Sequence, residues 1–76
     1  MGRIPQKLKI INRVHVLRAE KRISQQELAD EIDVTRATIN AIESGDYNPS
    51  LELAFRIARY FKTDIQNIFS IEEKRK

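Results

Sequence analysis

A single all-α domain, built as a compact bundle of five short helices, is the fold class that this chain predicts. Three observations carry the prediction. Among 76 residues there are only two glycines and two prolines, so few positions interrupt a helix. Apolar residues recur at helical rather than strand spacing, most clearly in Leu53, Ala54, Ile57, Ala58 and Phe61. Short polar residues able to cap a helix stand just ahead of the periodic segments. A hydrophobic content of 41% beside 33% charged residues belongs to a folded chain rather than a disordered one. The length leaves room for one domain, assigned to residues 9–76, with residues 1–8 as a flexible basic arm. A domain this small buries a modest share of its surface, and self-association is a usual remedy.

Each element has a local cause. Lys9 to Ile11 is too short a run to assign from pattern alone. Asn12 can cap the first helix, whose inward positions are Val14, Leu17 and Arg18; Lys21-Arg22-Ile23 closes it. Ser24 followed by Glu27 forms a capping box that opens the second helix. Leu28, Ala29 and Ile32 give that helix one apolar stripe, which breaks at Asp33-Val34. Thr35 caps the third helix, where only Ile39 and Ile42 are expected to face inward. Gly45 stands where a helix end needs a left-handed residue. Asn48-Pro49-Ser50 is a stop-and-restart signal, because proline disfavours helical geometry in the residue before it. Ser50 caps the fourth helix, whose apolar face is the broadest in the chain and is flanked by Arg56, Arg59 and Lys62. Asp64 is expected to cap a fifth short helix with Ile65, Ile68 and Phe69 on one side.

The third helix is equipped for insertion rather than burial. Arg36, Ala37, Asn40 and Ala41 share its outward face, with Thr38 beside them. A guanidinium can pair with guanine O6 and N7, a side-chain amide with adenine N6 and N7, and a methyl group can meet the thymine methyl. Arg36, Ala37, Asn40 and Ala41 are therefore the candidate base readers. Gln25, at the start of the second helix, can meet a phosphate, as can Ser44, Tyr47 and Asn48 just after the third. Thr35, a cap first, and Thr38 complete the candidate phosphate ligands.

The pattern resembles the helix-turn-helix of the Cro/phage-repressor type, the XRE family of transcriptional regulators, whose domains are lambda-repressor-like. The matching residues are Leu17-Arg18, Ser24-Gln25-x-Glu27-Leu28-Ala29, Val34-Thr35-Arg36, Thr38-Ile39, Ile42-Glu43-x-Gly45 and Asn48-Pro49-Ser50. The likeness runs from about Ile10 to Ile71. Small stand-alone regulators of the cytolysin-repressor kind share the Ile10-Ile11-Asn12 opening and the Tyr47-Asn48-Pro49-Ser50 loop. The resemblance implies a two-stranded antiparallel ribbon pairing the N-terminal segment with Phe69 to Ile71. It also implies that Gln25 grips the DNA backbone and that Arg18 and Glu43 form a partly buried ion pair.

Net charge is +3, but its distribution says more. Residues 1–22 hold seven basic residues against Glu20, residues 23–73 hold four cations against ten anions, and Lys74, Arg75 and Lys76 end the chain. Basic charge at both ends favours a polyanionic partner. There is no cysteine, which excludes disulfides and thiolate zinc sites. His15, the sole histidine, has no second ligand at metal spacing and is expected on a helix surface. Glu72-Glu73 is a pair of solvated carboxylates, and no glycine-rich phosphate loop is present. Neither catalysis, a cofactor, a metal nor a small-molecule ligand is expected. The apolar runs are too short to span a membrane and residues 1–11 lack a signal-peptide core, so a cytoplasmic protein is expected.

The leading expectation is a double-stranded DNA-binding regulator, a repressor binding a palindromic operator as a homodimer, since one short recognition helix reads few base pairs. Phe61, Ile65, Ile68, Phe69 and Ile71 are the candidate dimer interface, with Ile68, Phe69 and Ile71 at its centre. Two alternatives are an antitoxin that regulates its own operon and a protein-interaction adaptor with a vestigial helix-turn-helix.

Overall fold

Two capped helices at the middle of the chain, Gln25–Glu31 and Arg36–Ser44, set the frame on which everything else packs. The structure is a computed structural model and describes residues 8–72. The expected basic arm, apart from Leu8, and the cluster Lys74 to Lys76 lie outside the described residues. In order, the elements are β1 (Ile10–Asn12), α1 (Val14–Lys21), α2 (Gln25–Glu31), α3 (Arg36–Ser44), α4 (Leu51–Phe61), a 3-10 turn (Ile65–Asn67) and β2 (Phe69–Ile71).

The expected fifth helix is not formed: the described residues make four α-helices, and residues 65–67 make a single 3-10 turn. Asn67 N–H bonds Asp64 C=O and Ile68 N–H bonds Ile65 C=O, both with the three-residue reach of that geometry. One turn cannot repay the cost of nucleating an α-helix, and the chain must extend again at once to enter β2. Asp64 occupies the cap position without a side-chain cap bond.

The caps otherwise follow local chemistry. The Ser24 hydroxyl accepts the Glu27 N–H and the Glu27 carboxylate accepts the Ser24 N–H. Thr35 and Ser50 accept N–H bonds from Thr38 and Leu53. Each such cap contributes about 1 kcal/mol. Gly45 ends α3 at φ 86°, with its N–H on Ile42 C=O and the Asp46 N–H on Ala41 C=O. Arg22, Asp33 and Lys62 also take left-handed backbones, at φ 61°, 62° and 57°. Asp33 provides the turn between α2 and α3, and aspartate is one of the few side chains that tolerate that region.

Helix α1 begins one residue later than the Asn12 cap implies. Asn12 belongs to β1, its Oδ1 accepts the Val14 N–H at 3.0 Å, and its Nδ2 donates to Ile42 C=O at 2.9 Å. The strands pair antiparallel, with Ile10 opposite Ile71 and Asn12 opposite Phe69. One core gathers Val14, Leu28, Ala29, Ile32, Ile39, Ile42, Leu53, Ile57, Ala58 and Ile68. Arg56 reaches across to donate to Ile32 C=O at 2.6 Å, satisfying a carbonyl at the end of α2.

Candidate nucleic-acid interface

Burial of one face determines what the other face of α3 shows. Ile39 and Ile42 are 0% and 1% exposed, and burying each contributes roughly 1.5–3 kcal/mol, which fixes the rotation of the helix. Arg36, Ala37 and Asn40 are then left on the exposed side, while Thr38 and Ala41 are half-buried. Among the described residues nothing pairs with the Arg36 guanidinium. The face carries one long cation, one amide and methyl groups on a helix held at its start by Thr35 and at its end by Gly45.

Arg18 and Glu43 lock the inner end of that helix. The carboxylate takes two hydrogen bonds from one guanidinium, Nε to Oε2 at 2.8 Å and Nη2 to Oε1 at 3.1 Å. The Arg18 Nη1 also donates to Ile23 C=O at 3.0 Å. The two side chains are 21% and 9% exposed, so the pair is largely withdrawn from water. Burial alone would raise the Glu43 carboxyl. Hydrogen bonds from Arg18 and Gln25, the Arg18 charge and a weaker pull from His15 outweigh it and hold the carboxyl below the usual carboxylate range. The Glu43 hydrogen bond in turn raises Arg18, which stays a cation throughout.

The candidate phosphate ligands divide. Gln25 is half-buried, and its Nε2 donates to Glu43 Oε1 at 2.9 Å and to Asn40 Oδ1 at 3.3 Å. Its amide donors are occupied, and the remaining oxygen would repel a phosphate. In this arrangement the Gln25 amide nitrogen faces Glu43 and Asn40 within the protein. The Ser44 hydroxyl lies between Ala41 C=O and the Asp46 carboxylate, at 3.2 and 3.1 Å, so it is committed locally and sits beside a negative charge. The Thr35 and Thr38 hydroxyls bond one another at 3.0 Å, and Thr35 also accepts the Thr38 N–H. Tyr47 and Asn48 follow beyond the end of α3, and both are exposed.

The expected dimer residues also divide. Ile68 is 1% exposed and packs in the core of the single chain, so it has no surface to offer and its place in an interface is corrected. Phe61, Ile65 and Phe69 are half-buried against that core, and Ile71 is 43% exposed. Leu51 and Phe55, which the sequence reading did not single out, are large apolar side chains left 70% and 58% exposed. Their signal was present: they stand four apart, outside the apolar stripe of α4. Two shallow depressions on this side share Ile65. One is lined by Ile10, Pro49, Leu51, Ala54 and Phe69, the other by Phe55, Ala58 and Thr63.

His15 is exposed, as are both members of the Lys9–Glu72 ion pair at 3.8 Å, which adds little. Among the described residues no group of acidic and histidine side chains could hold a metal ion, and no helix is long and apolar enough to cross a membrane.

Comparison with known proteins agrees with this geometry. The helix-turn-helix family model matches residues 15–68. An uncharacterised HTH-type transcriptional regulator of Methanocaldococcus jannaschii is 45% identical over 62 residues, covering 82% of this chain and 94% of that protein. The Bacillus subtilis regulator YgzD, described in the same words, is 44% identical over 63 residues, covering 83% and 96%. Among solved structures, the restriction-modification controller protein C.AhdI of Aeromonas hydrophila superposes with a TM-score of 0.67 at 27% identity, over 72% of this chain and 80% of that one. The chain belongs to the XRE-type helix-turn-helix family of DNA-binding transcriptional regulators.

Proposed function

We propose that this regulator binds a palindromic DNA operator as a homodimer and represses transcription by occupying the promoter. The observation that carries the reading is α3, whose inner face is sealed by Ile39 and Ile42 while Arg36, Ala37 and Asn40 stand exposed. Arg36 and Asn40 are the base readers, Ala37 supplies a methyl contact, and half-buried Ala41 allows close approach. Thr35, Thr38, Tyr47 and Asn48 hold phosphates on either side of the helix. A single domain reads too few base pairs to be selective, and a two-fold partner doubles the site.

The face suited to that partner runs along Leu51, Phe55, Ile65, Phe69 and Ile71, where the large apolar side chains are exposed or half-buried. It carries the dimer from the end of the chain onto α4. Repression needs nothing beyond occupancy. Selection of bound duplexes from a random pool tests the whole reading: a palindromic consensus is expected. Retention of duplexes without any consensus would overturn it, and an asymmetric consensus would remove the dimer.

A further inference from the structure

We propose that Gln25 is a positioning residue for base recognition: it fixes the amide of Asn40 so that this side chain offers hydrogen-bond donors to the DNA. The inference rests on the base-reading role proposed for α3 and goes beyond it, since it assigns the chemistry that Asn40 selects.

The orientation follows from the chain of groups leading out from the core. Arg18 can only donate, and the ionised Glu43 can only accept. Glu43 Oε1 lies 2.9 Å from the Gln25 amide, so Gln25 must turn its nitrogen, not its oxygen, toward it. The same nitrogen lies 3.3 Å from Asn40, which must then present Oδ1. Each link leaves one choice to the next, and the fixed charge of the ion pair decides the orientation of an exposed amide at the end of the relay. The Asn40 Oδ1 has one bond already, and its Nδ2 has no partner among the described residues.

An amide held this way has a preference. Its free N–H groups suit base edges that accept, such as guanine O6 and N7, thymine O4 or adenine N7. It is mismatched to the major-groove edge of cytosine, which offers only a donor. A freely rotating asparagine would meet either kind of edge. Gln25 thereby acts on specificity through Asn40 rather than through a phosphate, consistent with its occupied donors.

Two variants and two measurements test this. Gln25→Ala removes the link, and Gln25→Glu sets a carboxylate against the Glu43 carboxylate, which drives it away and likewise releases Asn40. On the selected operator, the base pair lost in an Asn40→Ala variant is first identified and then replaced by each alternative. The wild type is expected to disfavour cytosine there by about tenfold. That ratio should shrink several-fold in both variants, while preferences at other base pairs stay put. Equal weakening on every duplex by both variants would overturn the proposal. The second measurement needs no DNA. The side-chain amide of Asn40, followed by nitrogen relaxation in the folded protein, should be ordered in the wild type and mobile in Gln25→Ala. An amide equally mobile in both would overturn the lock outright. An ordered amide in a protein that selects no duplex would instead overturn the DNA reading and leave the lock standing.

Discussion

Arg36 and Asn40 lie four residues apart on the exposed face of α3, where each can be changed without disturbing the core. An Arg36→Ala variant should lose roughly 1–3 kcal/mol of discrimination at one base pair of each half-site and keep its fold. Competition among singly substituted operators checks this, and an unchanged ranking would reduce Arg36 to a backbone contact. Arg18 and Glu43 call for the opposite expectation. Removing either strands a largely buried partner, at about 3–5 kcal/mol, with the lower end favoured because Arg18 is partly exposed. The double alanine variant should lose less than the sum of the two, as contacting groups do, and urea titrations would show it. The same pair should shape the acid limb. Glu43 is held below its ordinary value, so its contribution is complete above about pH 4.3, the unfolded value, and fades as pH falls through the lower folded one. Stability of the wild type should therefore drop more steeply below that pH than stability of Glu43→Gln. Parallel curves would show that Glu43 does not carry the effect.

At the scale of elements, the three serine and threonine caps and the Gly45 terminator were legible because a cap is a matter of neighbouring residues. A Cβ at Gly45 would meet open space, so only the left-handed backbone opposes a side chain there. Gly45→Ala should cost about 1 kcal/mol, and Lys62→Gly, at the matching position of α4, should gain up to a similar amount. Thermal unfolding of the two variants gives the comparison, and shifts of equal sign would refute it. The left-handed residues Arg22 and Lys62 were not legible, since neither side chain favours that region; each is a helix end closed by local backbone bonds, Ile23 N–H to Arg18 C=O and Thr63 N–H to Ala58 C=O. The fifth helix failed for a different reason: the apolar spacing of Ile65, Ile68 and Phe69 fits a helix, yet the pairing of Phe69 with Asn12 draws the chain into a strand. That Arg36, Ala37 and Asn40 share the exposed side of α3 could be laid out from spacing alone. The Gln25 link could not, because it joins residues brought together only when α2 packs on α3.

For the whole molecule, the apolar surface on α4 sets the expected assembly. Phe55→Glu should convert a dimer into a folded monomer, seen by sedimentation with circular dichroism unchanged. Ile68→Glu should unfold the chain instead, because that side chain has no solvent-facing side. A Phe55→Glu variant that still dimerised would place the two-fold axis elsewhere. The ribbon has a different bearing on the chain as a whole. Because β1 pairs with β2 and the Glu72 N–H bonds Lys9 C=O at 2.9 Å, the first and last described elements lie side by side. The described residues thus form almost a ring, with a cut between Leu8 and Glu72. Sealing that cut with a short peptide would remove the entropy of bringing two distant segments together without bending any helix. A circularised or permuted chain, reopened at the exposed Asp46-Tyr47 turn, would keep the core but free the end of α3, separating what the ring contributes to stability from what the helix contributes to recognition.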